Sequence, residues 1–299
     1  MKKSAPRPRT AANRRPRPNP RLFNTAQAKA VKGEICASGR KLWLRGLVDG
    51  AGGNISCRVG PNEVISTPTM QSKYELTPGD LCMVDLEGNQ IAGLKSRTSE
   101  VLLHLEIYKA VPEAKAVVHC HPPHAGAYAI TGRVPPAGVL SEFDLFIGPV
   151  ALSPYETPGT AAFANTVLPY VREHNTVLLA NHGAVCWADT VTHAEWCAEV
   201  LENYCATLLH SSQLGAPISA IPEDKIEDLL AIKKRFSLPD ERFSPGRGKG
   251  ARRGELPLPG AIAISPAPHE KQRSKRHEID LDDLVRIVTR EVLKAIGRG

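Results

Sequence analysis

Apolar and polar residues follow two different spacings along the middle of the chain. Apolar positions three or four residues apart predict helices near residues 25–38, 98–110, 160–172, 190–211 and 223–235. Short apolar runs between turn residues predict strands at NISCRV, EVIST, LCMVD, AKAVVH, TVLLA and AVCW. Because several strands follow one another through short turns, the pattern favours an α/β sandwich with a mixed or antiparallel sheet over a regular doubly wound fold.

Composition divides the chain into four blocks. Residues 1–21 are basic and rich in proline, which predicts a disordered tail, and residues 22–240 contain the dense helix and strand patterns. Residues 241–277 mix glycine, proline and basic residues without helical periodicity, as a linker does. Residues 278–299 become helical again. We therefore expect one folded domain followed by a tethered helix.

The net charge of +7 is compatible with nucleic-acid binding, but the basic residues lie outside the predicted domain. Residues 1–21 carry +8, residues 241–277 carry +6 and residues 278–299 carry −1, which leaves −6 for residues 22–240. An acidic domain with solvated basic tails predicts no nucleic-acid partner.

The sequence contains no apolar run near the roughly 20 residues that a membrane span needs. The N-terminus also lacks the apolar segment of a secretory signal. The seven cysteines are odd in number and form no C-x-x-C pair, which is typical of reduced thiols. These features predict a cytoplasmic protein without a membrane segment.

The segment VVHCHPPH places two histidines at the end of an apolar run. If this run is a strand, His119 and His121 share one face while Cys120 points to the other. A catalytic zinc site usually takes three protein ligands, and His182, followed by Gly183 at a predicted turn, is a candidate third ligand. Histidine pairs are also commonly satisfied by hydrogen bonds, so the spacing alone leaves both interpretations open.

Several separated motifs occur together in the order and spacing of a known family. They are GGNIS (52–56), STPT (66–69), TSEVLLH (98–104), PEAKAVVHCHPPHA (112–125), PYETPGT (154–160) and LLANHGAV (178–185). Over about residues 25–215 the chain resembles the class II aldolase/adducin family, in particular its L-fuculose-phosphate aldolase branch. The resemblance implies a three-layer α/β/α domain around a largely antiparallel sheet, assembled as a homotetramer with each site between subunits.

The resemblance also implies roles for individual residues. Zn²⁺ would be held by His119, His121 and His182, with Glu100 as the fourth ligand at rest. Glu100 would become the catalytic base or acid when substrate displaces it from the metal. The reaction would be cleavage of a sugar phosphate, L-fuculose 1-phosphate or L-rhamnulose 1-phosphate, to dihydroxyacetone phosphate and L-lactaldehyde.

A second set of residues matches the family's phosphate-binding segments: Gly53, Asn54, Thr69, Thr98 and Ser99. Backbone N–H groups and hydroxyls at a helix start suit a phosphate. Ordinary helix N-capping would explain Thr98 and Ser99 equally well, and both roles can coexist.

Two departures from the family pattern affect these expectations. Met70 stands where the family usually has glycine in this loop. The segment 139–144 has no tyrosine where the fuculose-phosphate aldolases place the proton donor to the aldehyde oxygen. Glu142, Asp144 and Tyr155 are candidate replacements.

Other activities occur on the same scaffold. The ribulose-phosphate 4-epimerases resemble this chain less, because they carry aspartate at the position of Glu100. A methylthioribulose-phosphate dehydratase uses a similar glutamate, so only an assay separates water loss from aldehyde release. Adducin-type interaction modules lack the metal ligands, all of which are present here.

The C-terminal block places its apolar residues on one helical stripe, formed by Leu281, Leu284, Val285, Val288, Val292 and Ile296. Acidic residues occupy the first turn and Gly297 ends the pattern, as expected for a helix. The block resembles the encapsulation peptides of bacterial microcompartments. It predicts that residues 278–299 bind a shell protein and place the enzyme in the microcompartment lumen.

Overall fold

A computed structural model describes residues 17–244 and the dipeptide 264–265 of the 299-residue chain. Most of the predicted basic tail, nearly all of the predicted linker and the whole predicted docking helix, residues 278–299, lie outside the described residues. The docking role of that helix therefore stays a prediction.

Within the described residues the chain forms seven α-helices. They are α1 (Ala26–Leu44), α2 (Val101–Ala110), α3 (Pro123–Ile130), α4 (Ser141–Phe146), α5 (Ala161–Asn165), α6 (Val191–Gln213) and α7 (Glu223–Arg235). Two short 3-10 helices, Pro20–Asn24 and Glu241–Phe243, lie near the ends of the main described segment.

The same residues form ten short strands. They are β1 (Asn54–Arg58), β2 (Val64–Ser66), β3 (Cys82–Val84), β4 (Gln90–Ala92), β5 (Ala116–Cys120), β6 (Ala151–Ser153), β7 (Thr176–Leu179), β8 (Gly183–Ala188), β9 (Ile218–Ser219) and β10 (Ile264–Ser265). Eight of them build one sheet in the order β4-β3-β2-β1-β5-β8-β7-β6. Every neighbouring pair in this sheet is antiparallel except β6 and β7. The predicted mixed, largely antiparallel sheet is confirmed.

Helices cover both faces of the large sheet. On one face, α1 and α6 pack against apolar side chains that include Val118 and Cys120 of β5. On the other face, α2 and α5 pack against a set that includes Val117 of the same strand. Since successive strand residues point to opposite faces, β5 contributes to both cores. The predicted three-layer α/β/α architecture is confirmed.

Local signals explain several helix starts. Thr25, Thr160 and Thr190 precede α1, α5 and α6, and each side-chain hydroxyl accepts a hydrogen bond from a backbone N–H three residues later, at 3.2, 3.0 and 3.0 Å. Such N-caps satisfy backbone donors that have no partner inside the helix. Helix α7 spans the predicted residues 223–235.

Other boundaries differ from the sequence pattern. The helix predicted from residue 98 begins at Val101, because Thr98 N–H donates to Thr67 O at 3.2 Å and keeps this segment paired with a loop. The helix predicted over 160–172 ends at Asn165. Helices α3 and α4 and strands β4 and β6 are too short to give a clear periodic signal, and the sequence did not predict them.

All seven cysteines are buried free thiols, in agreement with the predicted absence of a disulfide framework. None of the helices in the described part of the chain has the length and apolar character that a membrane span requires.

Candidate metal centre and active site

Strand β5 delivers the first two histidines to one place. It lies between β1 and β8, and its residue His119 pairs with Asn54 on one side and Val185 on the other. Cys120 packs into the α1/α6 core, whereas His119 and His121 turn toward each other with their ring centroids 4.9 Å apart. This is the arrangement that strand alternation predicts.

The turn between β7 and β8 brings in the third histidine. Asn181 adopts a left-handed conformation with φ of 55°, which asparagine tolerates better than most residues, and His182 follows it. Gly183 then passes close to the end of β5, since a Cβ built on it would lie 2.4 Å from Cys120 O. The glycine is thus required for this close approach, while the tight turn itself is made at Asn181.

The three imidazoles face one another. Their ring centroids are 4.7 Å apart for His119 and His182 and 5.1 Å apart for His121 and His182. One ring nitrogen from each histidine lies within 4.8 Å of the others, which is the spacing expected when several side chains share a metal ion. The Nε2 atoms of His119 and His121 lie 3.1 Å apart.

Hydrogen bonding and burial favour a neutral His119, and burial favours a neutral His182. His119 is fully buried and its Nδ1 donates to Ala184 O at 2.9 Å, which leaves the Nε2 lone pair directed at the other histidines. Burial holds the pKa of His119 well below its usual range, and the positive charges that His121 and His182 could carry lower it further. Burial also lowers the pKa of His182, although the Glu100 carboxylate opposes that effect.

Glu100 completes the cluster from the start of α2. Its carboxylate oxygens lie 3.3 Å from His119 Nε2 and 3.5 Å from His182 Nε2. Asn54 Nδ2 donates to the same carboxylate at 2.8 Å and fixes its orientation. We call these four groups, His119, His121, His182 and Glu100, the metal centre.

The donor set fits a divalent metal ion. Lone pairs of neutral imidazoles and a carboxylate repel one another when they converge, unless a cation or shared protons lie between them. Within the described residues His182 Nδ1 and Asn54 Oδ1 are buried without a hydrogen-bond partner, so the site also has polar atoms available to a bound ligand or water. Three nitrogens and one oxygen suit zinc and related metals, and the choice of zinc stays a prediction.

The contact between α2 and β1 extends well beyond the metal centre. Three hydrogen bonds join alternate residues of β1 to residues that are four apart from the start of α2 onward. Asn54 contacts Glu100, Ser56 contacts His104 and Arg58 contacts Tyr108. His104 is bonded through Nδ1 to Ser56 Oγ at 2.7 Å, and burial lowers its pKa to about 3. It is therefore a neutral packing residue that helps to fix α2, and not a metal ligand in this arrangement.

The predicted phosphate-binding residues lie on three segments that are hydrogen-bonded side by side. Ile55 N–H donates to Thr67 Oγ1 at 3.2 Å, and Thr69 N–H donates to Ser96 O at 3.0 Å. Gly53 has φ of 69°, and a Cβ on it would lie 2.8 Å from His119 O, so the first segment runs directly against the metal centre.

These residues differ in what their side chains do. Asn54 is buried and donates to Glu100, while buried Thr98 accepts from Glu100 N–H at 3.4 Å. Thr69 and Ser99 are exposed. Asn54 and Thr98 thus contact Glu100, and the binding of phosphate by all five candidates stays a prediction.

The region that contains the metal centre is similar to a known protein family. The family described as "Class II Aldolase and Adducin N-terminal domain" matches residues 33–209, which include all four groups of the metal centre. The chain belongs to the class II aldolase and adducin family. Relatives in this family are named as aldolases, and the predicted class of enzyme, a class II (metal-dependent) aldehyde-lyase, is confirmed.

Two curated relatives and one solved structure illustrate the range of the family. A 5-deoxy-D-ribulose 1-phosphate aldolase of Bacillus thuringiensis serovar kurstaki is 35% identical over 199 residues, 66% of this chain and 92% of that protein. A 3-oxo-tetronate 4-phosphate decarboxylase of Haemophilus influenzae is 32% identical, covering 64% and 91%. A solved L-fuculose 1-phosphate aldolase superimposes with a TM-score of 0.62 at 25% identity, covering 70% of this chain and 97% of that one.

Met70, the first departure from the family pattern, has a backbone conformation that favours glycine. Met70 has φ of 52°, a left-handed backbone that glycine adopts at no cost and other residues adopt with strain. Its side chain is 85% exposed and is not part of the core. The chain therefore follows a path suited to glycine while carrying a methionine there.

The second departure concerns the proton donor. Asp144, one of the candidates, is buried and its carboxylate accepts from Arg242 Nη1 at 2.9 Å and from Gly138 N–H at 2.7 Å. These bonds use both carboxylate oxygens of Asp144 within the fold, and its role as the proton donor stays a prediction. Glu142 and Tyr155 are exposed, and the segment of Tyr155 reaches the centre's edge, because a Cβ on Gly159 would lie 3.6 Å from Ser99 Cβ.

Sequence reasoning missed three residues near the centre. The Asp49 carboxylate lies 3.6 Å from His121 Nδ1, and the Phe163 ring is 5.3 Å from the His182 ring. Lys73 is buried beside the loop that precedes β1. None of the three stands at a motif spacing, and Asp49 alone, followed by the glycine-rich segment GAGG (50–53), offered a local signal.

Proposed function

We propose that the protein cleaves a ketose 1-phosphate to dihydroxyacetone phosphate and a short aldehyde. The proposal is supported by the convergence of three histidine nitrogens, two of which lie within 3.5 Å of the Glu100 carboxylate, beside segments rich in backbone N–H groups and hydroxyls. Such a site combines a metal ion, a proton carrier and a position for phosphate.

We propose 5-deoxyribulose 1-phosphate as the first candidate substrate, because the relative that is 35% identical is named for it. Cleavage between C3 and C4 would release dihydroxyacetone phosphate and acetaldehyde. L-Fuculose 1-phosphate and L-rhamnulose 1-phosphate, which would release L-lactaldehyde, remain candidates and differ only at the aldehyde end.

The reaction needs two proton transfers. The C4 hydroxyl loses a proton, the C3–C4 bond breaks, and its electron pair moves into an enediolate over C2 and C3 that must then be protonated at C3. Glu100 is the group in position to deliver that proton, and Asn54 holds its carboxylate in place at 2.8 Å. A divalent cation held by this donor set would supply Lewis-acid stabilisation of the negative charge on the substrate oxygens.

Decarboxylation of a 3-oxo-tetronate 4-phosphate is the second candidate, favoured by the relative that is 32% identical. Loss of carbon dioxide from this β-keto acid leaves the same enediolate and, after protonation, the same dihydroxyacetone phosphate. The two candidates differ in the group that leaves, so the identity of the second product separates them.

One assay tests both candidates. Metal-loaded protein is incubated with 5-deoxyribulose 1-phosphate, L-fuculose 1-phosphate, L-rhamnulose 1-phosphate, L-ribulose 5-phosphate and 3-oxo-tetronate 4-phosphate. Dihydroxyacetone phosphate is measured with a coupled reductase, and aldehyde and carbon dioxide are measured in parallel. We expect dihydroxyacetone phosphate with an equal amount of aldehyde. Epimerised sugar or loss of water without that product would contradict the proposal.

The predicted assembly is proposed as well. We infer a homotetramer, since a site near exposed Met70 and Tyr74 would gain cover from a second subunit. Light scattering of the purified protein would measure its mass, and a monomer with full activity would contradict the inference. The docking of residues 278–299 to a shell protein remains a separate proposal based on their sequence alone.

A further inference from the structure

Lys73 lies in the loop between β2 and β3 and is almost completely buried, with 1% of its surface exposed. Its Nζ donates to Ala51 O at 2.9 Å and to Gln71 O at 2.7 Å. One acceptor belongs to the loop before β1 and the other to the loop after β2. The ammonium group therefore joins two loops that are separate in sequence.

Both of these loops carry predicted phosphate-binding residues. Ala51 lies two residues before Gly53, and Gln71 lies two residues after Thr69. Helix α1 packs against the backbone of Lys73, since a Cβ built on Gly39 would lie 2.9 Å from Lys73 O. The side chain thus starts from a fixed point and ends where the two loops meet.

The charge of Lys73 is not balanced by a contact with a carboxylate. Within the described residues no carboxylate oxygen lies within 4.0 Å of its Nζ, whereas the other fully buried lysine, Lys233, has Asp240 at 2.8 Å. Two carbonyls use two of the three N–H donors, which leaves one donor and a positive charge. Burial lowers the pKa of Lys73 to about 8, and the Glu100 carboxylate opposes that shift, so the cation predominates at neutral pH.

A substrate phosphate needs such a charge. None of the five residues that match the family's phosphate-binding segments is charged, and hydroxyls and N–H groups alone give weaker bonds to an anion than a charged donor gives. A buried cation without a contacting anion is also costly, and a bound dianion would offset that cost.

We propose that Lys73 is a positioning residue for the substrate's phosphate group, in which its ammonium ties the two loops together and provides their positive charge. The inference rests on the proposed function for the identity of the ligand. If Lys73 only held the two loops in place, its loss would weaken the binding of every ligand alike. In the proposed role, its loss weakens the binding of ligands that carry a phosphate.

The experiment compares Lys73→Met with a matched control, Lys95→Met. Lys95 contacts the same loop through Gln71 and pairs with Asp80 at 2.7 Å, but it is exposed on the surface. Calorimetry on the metal-loaded full chain measures the dissociation constants of dihydroxyacetone phosphate, inorganic phosphate and dihydroxyacetone, which lacks the phosphate. Thermal unfolding and metal content are recorded for each variant.

We expect Lys73→Met to weaken both phosphate-containing ligands by about 10- to 100-fold, as expected for loss of a buried charge-assisted contact, and dihydroxyacetone by less than about threefold. The KM for the cleaved sugar phosphate should rise in the same proportion, with kcat changed less. Lys95→Met should bind all three ligands as the unaltered protein does. Equal weakening of all ligands, or of none, by Lys73→Met would overturn the proposal.

Lys73→Arg covers the case in which Lys73→Met does not fold. It keeps a charge and several donors, so the ratio of the constants for dihydroxyacetone and its phosphate should stay within about threefold of the unaltered protein. If folded Lys73→Arg lost the preference for dihydroxyacetone phosphate over dihydroxyacetone, that result would contradict the proposal. Because binding is measured without turnover, phosphate affinity that depends on Lys73 in a protein cleaving no sugar phosphate would reject the proposed function alone. Absence of phosphate binding by the unaltered protein would reject both.

Discussion

The metal centre and a second buried cluster are both built from ionisable side chains, but they differ in whether their own side chains balance the charges. The second one, which we call the ion cluster, consists of Asp144, Lys233, Asp240 and Arg242. It joins α4, α7 and the 3-10 helix Glu241–Phe243, at the C-terminal end of the main described segment.

The ion cluster balances itself with two carboxylates and two cations. Lys233 Nζ lies 2.8 Å from Asp240 Oδ2, and Arg242 donates to both oxygens of Asp240 at 2.8 and 2.7 Å. Burial alone would raise the pKa of Asp240, but the hydrogen bonds from Arg242 and the charge of Lys233 hold it below its usual value. Bidentate bonds of this kind satisfy a buried carboxylate without outside help.

The metal centre lacks such a balance. Three imidazole nitrogens converge beside a carboxylate, burial lowers the pKa of His119 and His182, and no cationic side chain among the described residues contacts that carboxylate. The difference teaches that burial and ionisable chemistry do not by themselves mark a functional site. A cluster that completes its own partners stabilises the fold, whereas one that leaves them incomplete is suited to a ligand.

Loss of a metal ligand should give the largest effect that separates the two clusters. His182→Ala should lose stoichiometric metal and lower kcat/KM by at least about 10³-fold, because three protein ligands are the usual minimum for a catalytic metal. Elemental analysis and the product assay measure the two quantities. Full activity in metal-stripped protein would show that this centre does not work through a metal.

Removal of the proton carrier should come next in size. Glu100→Gln keeps the three histidines and should retain metal, yet lower kcat by about 10²-fold or more, since an amide cannot carry the proton. Glu106→Gln is the matched control on the same helix, because its partly exposed carboxylate pairs with Lys109 and, among the described residues, with no other cation. Similar rates for the two variants would place the proton carrier elsewhere.

Disruption of the ion cluster should change stability rather than catalysis. Asp240→Asn removes the charge that both buried cations face, and we expect a loss of about 3 to 5 kcal/mol in the free energy of unfolding with kcat unchanged in folded protein. Urea titration measures this loss. Asp228→Asn, in the exposed pair with Lys225 at 3.2 Å, is the control and should stay within about 0.5 kcal/mol.

The same variant has a pH signature. Since the folded state lowers the pKa of Asp240, its contribution to stability is complete above the unfolded value of about 3.9 and is lost as the pH falls below it. The difference in the free energy of unfolding between the unaltered protein and Asp240→Asn should therefore decrease as the pH is lowered below about 4. A difference that stays constant in acid would contradict this account.

The smallest effect concerns the strained backbone of Met70, in the loop that carries Thr69. None of the four residues of the ion cluster has a left-handed backbone. Met70→Gly should raise the free energy of unfolding by up to about 1 kcal/mol, because glycine adopts the left-handed conformation without a Cβ clash. Met70→Ala keeps the Cβ and should give no such gain. Thermal unfolding of the two variants side by side measures the difference, and equal values would remove strain as the explanation.

Much of the framework could be predicted from the sequence because it depends on local spacing. Strand alternation placed His119 and His121 on one side and Cys120 on the other, and helical periodicity gave α7 its observed limits. These features need no knowledge of distant residues. The family motifs then identified Glu100 and His182 as partners, although no local pattern connects them.

The tertiary structure alone decided which distant groups meet. Asn54 reaches Glu100 across 46 residues of sequence, Arg242 reaches Asp144 across 98, and the sequence predicted neither contact. No sequence pattern distinguishes Lys73, whose ammonium lies between two loops in the folded protein. The physical reason is that buried polar groups must find hydrogen-bond partners wherever the packing of helices and sheet brings them, and a one-dimensional pattern carries no record of that packing.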